Sequence, residues 1–388
     1  MHLFPKLNIS LQHSVHLEES NIPISAFHNK TKYILLWTNP TNTPFVYFGI
    51  GNSIFIKKKC KWTNCYVTSD INYLSDVTMF EVIAFNGPQL QEMIAYKNIP
   101  RRRSLSQKYV FANIESSANY PICTDIWNEF FNWTWTYKLD SDAVWGYLTI
   151  RNSTNHIVGP RKDMHWMNFI EMDDINYDLK DKLKSKSRAV AWFASSCMTS
   201  SLREKYVTNL QNHLKKYNLM IYIYGKCGEY ECPAELMPRC LKMLENKYYF
   251  YLAFENAISE DYVTEKIIYA LKHNTVPIVF GGANYTRFLP YGSYLNAYKM
   301  HPENLASTIH RIIQNPTMYH NFFRWKKYYS YHHRNESPET DDYCNFCAIL
   351  NNEKLIKAST VYENFNYWWT GPGMKKICNP SSNLFERF

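Results

Sequence analysis

The run Tyr251-Leu252-Ala253-Phe254-Glu255-Asn256 carries an apolar strand straight into polar side chains, and a helical pattern follows it. Asp261 is placed to cap that helix, with Val263, Ile267, Ala270 and Leu271 on one face at helical spacing. Tyr262, Glu265, Lys266 and Tyr269 fall on the other face. A strand, a polar loop and a helix N-terminus make a seat for a nucleotide. The terminus favours phosphate, Lys266 adds positive charge, and a carboxylate such as Glu265 can hold ribose hydroxyls. The plain alternative is a helix with solvent-facing charges. No glycine-rich loop accompanies these residues, so neither a dinucleotide fingerprint nor a P-loop applies.

Three further groups could do chemistry. Arg203 falls in the first turn of a helix that carries Val207, Leu210 and Leu214 inward. A cation there is unfavourable unless an anion lies nearby, although an exposed arginine would be commoner. Glu115 follows a strand in Ile114-Glu115-Ser116-Ser117, where a carboxylate could serve as a general base. Asp140-Ser141-Asp142 has the form of a metal–nucleotide motif and, equally, of a turn.

The elements that must position these residues fall into two halves. Apolar runs at Tyr33–Thr38, Cys65–Thr68, Thr78–Phe85 and Lys108–Ile114 read as strands, with a helix over Gln89–Lys97. After a charged linker over 178–188, strands at Ala189–Ala194, Leu219–Tyr224, Tyr248–Phe254 and Val276–Phe280 alternate with helices over Ser201–Lys216 and Tyr262–His273. That alternation predicts parallel sheets and an α/β class: two domains facing one another, with ligand at the carboxyl ends of the strands. The expected division is a polar tail over 1–30, a first domain over 31–177, the linker, a second domain over 189–350 and a tail over 351–388.

Composition bounds the rest. A chain of 388 residues with 46% hydrophobic and 20% charged residues suits two globular domains. The net charge of +9 is dispersed except at Lys57–Lys59 and Arg101–Arg103. No nucleic-acid-binding pattern accompanies these runs, and the excess fits a phosphorylated ligand. No apolar stretch is long enough to span a membrane, and residues 1–30 lack the features of a signal peptide. The 10 cysteines are grouped in a way that suits disulfides better than zinc. Sequons at Asn8, Asn29, Asn132, Asn152, Asn284 and Asn335 agree with a secretory compartment.

The segments Phe250–Asn256, Asp261-Tyr262-Val263-Thr264-Glu265-Lys266 and Val276–Gly281 together resemble the donor signature of the α1,3-fucosyltransferases, glycosyltransferase family 10. Ala191–Ser195 with Arg203, Tyr224–Gly228, and Trp133–Asp142 are similar to further family segments. The cysteine-rich stretch Gly225–Cys240 looks most like invertebrate members, including those acting on the core of N-glycans. The resemblance implies a GT-B fold, two Rossmann-like domains across a cleft: an N-terminal acceptor domain and a C-terminal GDP-fucose domain. It implies metal-independent, inverting transfer of L-fucose from GDP-fucose to GlcNAc of a glycoprotein N-glycan, with no cofactor. By position, Glu115 matches the catalytic base, and Arg203 and Lys266 match the cations that neutralise the departing diphosphate. Asn256, Tyr262 and Glu265 match residues around phosphate, fucose and ribose, and Asp140 and Asp142 become acceptor-domain structure.

The same resemblance implies the bridges Cys60–Cys344 and Cys65–Cys347. Cys227, Cys232 and Cys240 are expected to pair locally, with Cys197 as a fourth member; Cys123 and Cys378 have no assigned partner. It also implies a Golgi location, lumenal or membrane-bound, although the N-terminal anchor usual in the family does not occur in this sequence. Two departures stand out: Gly281-Gly282-Ala283-Asn284-Tyr285 lacks the basic residue of the family's loop, and Asn296-Ala297 replaces an acidic pair. Transfer to antennal GlcNAc or glycolipid, and an inactive glycan-binding relative, are the alternatives.

Overall fold

The computed structural model describes residues 30–373, apart from Tyr96, together with residues 377 and 378. The N-terminal tail up to residue 29, with Asn8 and Asn29, lies outside the described residues, as do residues 379–388.

Strands β1 (Lys32–Leu36), β2 (Cys65–Thr68), β3 (Val82–Asn86), β4 (Lys108–Asn113), β5 (Trp133–Thr136) and β6 (Ala143–Val144) form one sheet in the order β2-β1-β3-β4-β5-β6. Every pairing in it is parallel. Successive side chains alternate between its faces. Ile34, Leu36, Val82, Ala84, Val110 and Ala112 enter one core. Leu35, Ile83, Phe85, Tyr109 and Phe111 enter another. Burial on both faces is why these strands read as continuous apolar runs.

β7 (Leu148–Asn152) and β8 (Ile157–Gly159) follow, and then a second parallel sheet. It comprises β9 (Arg188–Phe193), β10 (Ile221–Tyr224), β11 (Tyr248–Phe254), β12 (Val276–Phe280) and β13 (Leu295–Asn296), ordered β10-β9-β11-β12-β13. Along β11, Phe250, Leu252 and Phe254 face one core, and Tyr251 and Ala253 face the opposite one. β14 (Tyr329–His333) returns to pair antiparallel with β7, joining the chain that leaves the second sheet to the chain that leaves the first.

Three segments depart from expectation. Residues 178–188 do not form a free linker: Tyr177–Leu183 is a helix capped by the Asn176 side chain, and Leu183 is buried in the second core. The helix expected from Asp261 begins only at Lys266 and runs to Lys272. Asp261 instead has a φ of 56°, because its carboxylate is held by Arg287 at 2.7 Å and by the Leu139 amide at 3.2 Å. Thirdly, the chain beyond β14 packs on the first sheet, not the second. Helix Asp342–Leu350 puts Tyr343, Phe346 and Leu350 into one of its cores. Helix Phe365–Thr370 puts Phe365 and Trp369 into the other.

Disulfides fasten that return. Cys60–Cys344 and Cys65–Cys347 connect the first sheet to helix Asp342–Leu350. Cys197–Cys227 and Cys232–Cys240 are local, and Cys123–Cys378 is a pairing that the sequence did not suggest. Lys58, in the first of the two basic runs, is ion-paired to buried Asp341 at 2.7 Å.

Candidate active site

β4 and β11 both run into polar residues, and the loops that follow them meet. Loop Glu115–Ala118 docks on loop Ser259–Tyr262: the Ala118 amide donates to Ser259 Oγ at 3.0 Å. Tyr262 inserts its ring into a core of the first sheet, 5.0 Å from the ring of Tyr137. Its hydroxyl donates to Glu115 Oε2 at 3.4 Å, across the two halves of the chain. The Glu115 backbone is fixed by Asn113, whose buried side-chain oxygen accepts from its amide at 2.8 Å. Tyr147 donates to the Ile114 carbonyl at 2.6 Å. Burial first, and then the neighbouring Tyr147, Glu255 and Glu115, hold the Tyr262 hydroxyl far above its ordinary pKa. Tyr262 therefore stays a neutral donor, and the Glu115 carboxylate accepts its hydrogen bond.

On the second sheet two cations converge beyond the end of β11. Arg203 opens helix Arg203–Leu214 and is buried. Its guanidinium donates to the carbonyls of Phe254 at 2.6 Å and Ser196 at 3.1 Å, and lies 5.4 Å from the Trp192 ring centre. Lys266 Nζ lies 2.9 Å from Glu255 Oε2, 2.7 Å from Thr264 Oγ1 and 3.9 Å from Glu265 Oε1. Desolvation would lower the Lys266 pKa, and Arg203 repels its charge, but Glu255 and Glu265 outweigh both and raise it. The lysine is a cation at neutral pH. Asn256 is half-buried beside these groups. Its carbonyl accepts from Ser201 and Ser200, while its side-chain oxygen is buried without a partner.

Thus the structure brings Glu115 to Tyr262, and Glu265 to Lys266; Arg203 joins the latter pair electrostatically. Tyr147 connects the two groups, since Glu115, Glu265 and Glu255 all act on its hydroxyl. The sequence reading gave no role to Tyr147, Glu255 or Thr264. For Glu255 a signal existed: a carboxylate directly after a run of buried apolar residues needs a partner. Tyr147 had none.

A charged cluster locks the halves beside this site. Asp261 pairs with Arg287, and Lys162 reaches Asp140 at 2.8 Å and Glu260 at 3.5 Å. Arg287 lies just beyond the loop in which the family's basic residue is lacking, and its charge is spent on Asp261 and Glu260. Asp142 accepts from the Thr134 amide and from Tyr362, which ties the returning C-terminal segment to β5. Among the described residues no group of three His, Cys, Asp or Glu side chains could hold a metal ion. No helix among them is long and apolar enough to cross a membrane.

Residues 183–368 match the family model described as glycosyltransferase family 10 (fucosyltransferase) C-term, and residues 29–148 match fucosyltransferase, N-terminal. The chain is 31% identical to α-(1,3)-fucosyltransferase C of Drosophila melanogaster, over 87% of this chain and 78% of that protein. The chain belongs to the α1,3-fucosyltransferases of glycosyltransferase family 10. Glycoprotein 3-α-L-fucosyltransferase A of the same fly is 29% identical over 84% of this chain, which spans 58% of that relative's length. α-(1,3)-Fucosyltransferase fut-1 of Caenorhabditis elegans is 29% identical over 72% of this chain and 60% of its own. The fold agrees. A crystal structure of an α1,3-fucosyltransferase with GDP-fucose superposes with a TM-score of 0.51, at 15% identity over 90% of this chain and 96% of that one. This is the GT-B arrangement of paired α/β units, in a fucosyltransferase of invertebrate type.

Proposed function

We propose that the chain transfers L-fucose from GDP-β-L-fucose, with inversion, in α1,3 linkage to GlcNAc of glycoprotein N-glycans. The observation that carries this reading is the Tyr262–Glu115 contact, which sets a carboxylate of one half against the Arg203–Lys266 cations of the other. Glu115 takes the proton of the acceptor hydroxyl as that oxygen attacks the anomeric carbon. Arg203 and Lys266 balance the negative charge that grows on the departing diphosphate, a stabilisation made larger by their desolvation. Asn256, with its unpartnered oxygen, and Glu265, whose side chain is 38% exposed, are left for nucleotide and sugar hydroxyls. The first sheet serves as the acceptor side and the second as the donor side. The relative named as a glycoprotein fucosyltransferase supports a glycoprotein acceptor, and the five disulfides support a Golgi lumenal site.

Purified chain given GDP-fucose and a panel of glycans tests the reading. GDP release and an α1,3-fucosylated product are expected with a core N-glycan acceptor. Transfer to antennal GlcNAc or glycolipid alone would reassign the acceptor, and no transfer to any member would leave a glycan-binding relative.

A further inference from the structure

Glu255 has no exposed surface, yet it carries a carboxylate. It can therefore act only through what it holds. Its Oε1 accepts from the Thr264 amide at 2.9 Å and the Thr264 hydroxyl at 3.0 Å. Its Oε2 accepts from Lys266 Nζ at 2.9 Å. The Thr264 hydroxyl also accepts from Lys266 Nζ at 2.7 Å, so carboxylate, hydroxyl and ammonium form one closed triangle. A buried carboxylate with several donors has one orientation, and the flexible lysine stem inherits it.

We propose that Glu255 is the positioning residue that fixes the Lys266 ammonium for the donor diphosphate and keeps it charged. The proposal rests on the reading that Lys266 meets that diphosphate. Charged and titratable groups around the pair are Glu265 on the same turn, Arg203 from helix Arg203–Leu214, and the hydroxyls of Tyr147, Tyr251, Tyr262 and Tyr285. Of these Glu265 is the one carboxylate, and it lies farther from Nζ than Glu255 does, at 3.9 Å against 2.9 Å. Removing the charge of Glu255 leaves desolvation and Arg203 to push the Lys266 pKa down. The cation then persists at low pH and is lost as pH rises through the lowered value.

The test measures GDP-fucose affinity from about pH 6.5 to 9.5, as a ratio to wild type at each pH so that titration of the ligand cancels. Glu255→Gln keeps an acceptor for the Thr264 amide and loses the charge together with the second acceptor, the one that faces Lys266. Its affinity is expected within about threefold of wild type at the acid end, then to fall by up to about tenfold per pH unit. Adding Lys266→Arg, whose charge does not titrate in this range, is expected to flatten that ratio. A Glu255→Gln profile that tracks wild type, or a loss equal at every pH and unrelieved by arginine, would overturn the assignment and leave a structural staple. Should Glu255→Gln fail to give a cooperative thermal melt, Thr264→Val removes the hydroxyl between the two charges. It is expected to show the same pH-growing loss on a smaller scale, and a uniform loss would overturn the proposal. Lys266→Ala separates the two readings. If it binds GDP-fucose like wild type, the diphosphate assignment fails; if it binds weakly while Glu255→Gln does not, only the role of Glu255 fails.

Discussion

A base that takes a proton from a sugar hydroxyl must be ionised, reachable and aimed. Glu115 is half-buried, with its backbone pinned by Asn113 and its side chain met by a tyrosine that stays neutral. Glu115→Gln keeps the shape and removes the proposed base. Transfer is expected to fall about 10²–10⁴-fold while GDP binding, which the proposal assigns to the other sheet, is unchanged. Turnover above about a tenth of wild type in a coupled GDP-release assay would sink the assignment. Lys266 meets the opposite demand, since its charge must survive burial. Lys266→Ala is expected to weaken GDP-fucose binding and turnover together, about tenfold or more, whereas Lys184→Ala, on an exposed side chain, changes neither. Equal effects in titration calorimetry would reduce Lys266 to a structural charge.

At the level of elements, the parallel sheets bring polar strand ends to one cleft but also bury charge elsewhere. Lys186, two residues before β9, donates to Thr275 at 3.3 Å and is almost wholly buried. Burial pushes its pKa down to about 7, with Glu245 opposing and Lys326 assisting. The sign follows directly. Below about pH 7 the folded protein must carry a buried cation, while between about pH 7 and 10.5 the unfolded chain binds the extra proton and folding gains with rising pH. Lys186→Met is therefore expected to raise Tm at pH 6, by on the order of a few kcal/mol of stability, with a gain that shrinks toward pH 10. A gain independent of pH in calorimetric scans would mean that packing, and not charge, is responsible.

Across the whole molecule, the chain crosses from the first sheet to the second and comes back, and three disulfides close that circuit. Cys60–Cys344 spans 284 residues, a closure worth about 5 kcal/mol in the chain-entropy model, and the neighbouring Cys65–Cys347 adds much less. Non-reducing peptide mapping is expected to link a peptide holding Cys60 and Cys65 to one holding Cys344 and Cys347, and Cys123 to Cys378. Free thiols at these positions in secreted protein would refute the pairing. The placement of the cations also bears on metal dependence. Arg203 and Lys266 put positive charge on the proposed donor side, and Asp140 and Asp142 are engaged by Lys162, Thr134 and Tyr362. Full activity in excess EDTA is the expected result, and activity restored only by Mn²⁺ or Mg²⁺ would return those aspartates to consideration.

Periodicity and composition were enough to determine the α/β class, the strands β2, β11 and β12 to the residue, and the placing of Glu115, Arg203 and Lys266 at strand or helix ends. These are local properties: side chains that must share a sheet face or helix face repeat at the period of that element. What only the tertiary structure decided is how distant residues answer one another. Asp261 reads as a helix cap, yet Arg287 and Leu139 take its carboxylate, and Thr264 turns its amide to Glu255 instead of into a helical turn. Helix Asp342–Leu350 reads as the end of the second half, yet its apolar face is complementary to the first sheet. The Tyr262–Glu115 contact joins residues 147 apart in the chain. No local pattern encodes such a contact, because its energy depends on shapes and charges that exist only once both sheets have formed.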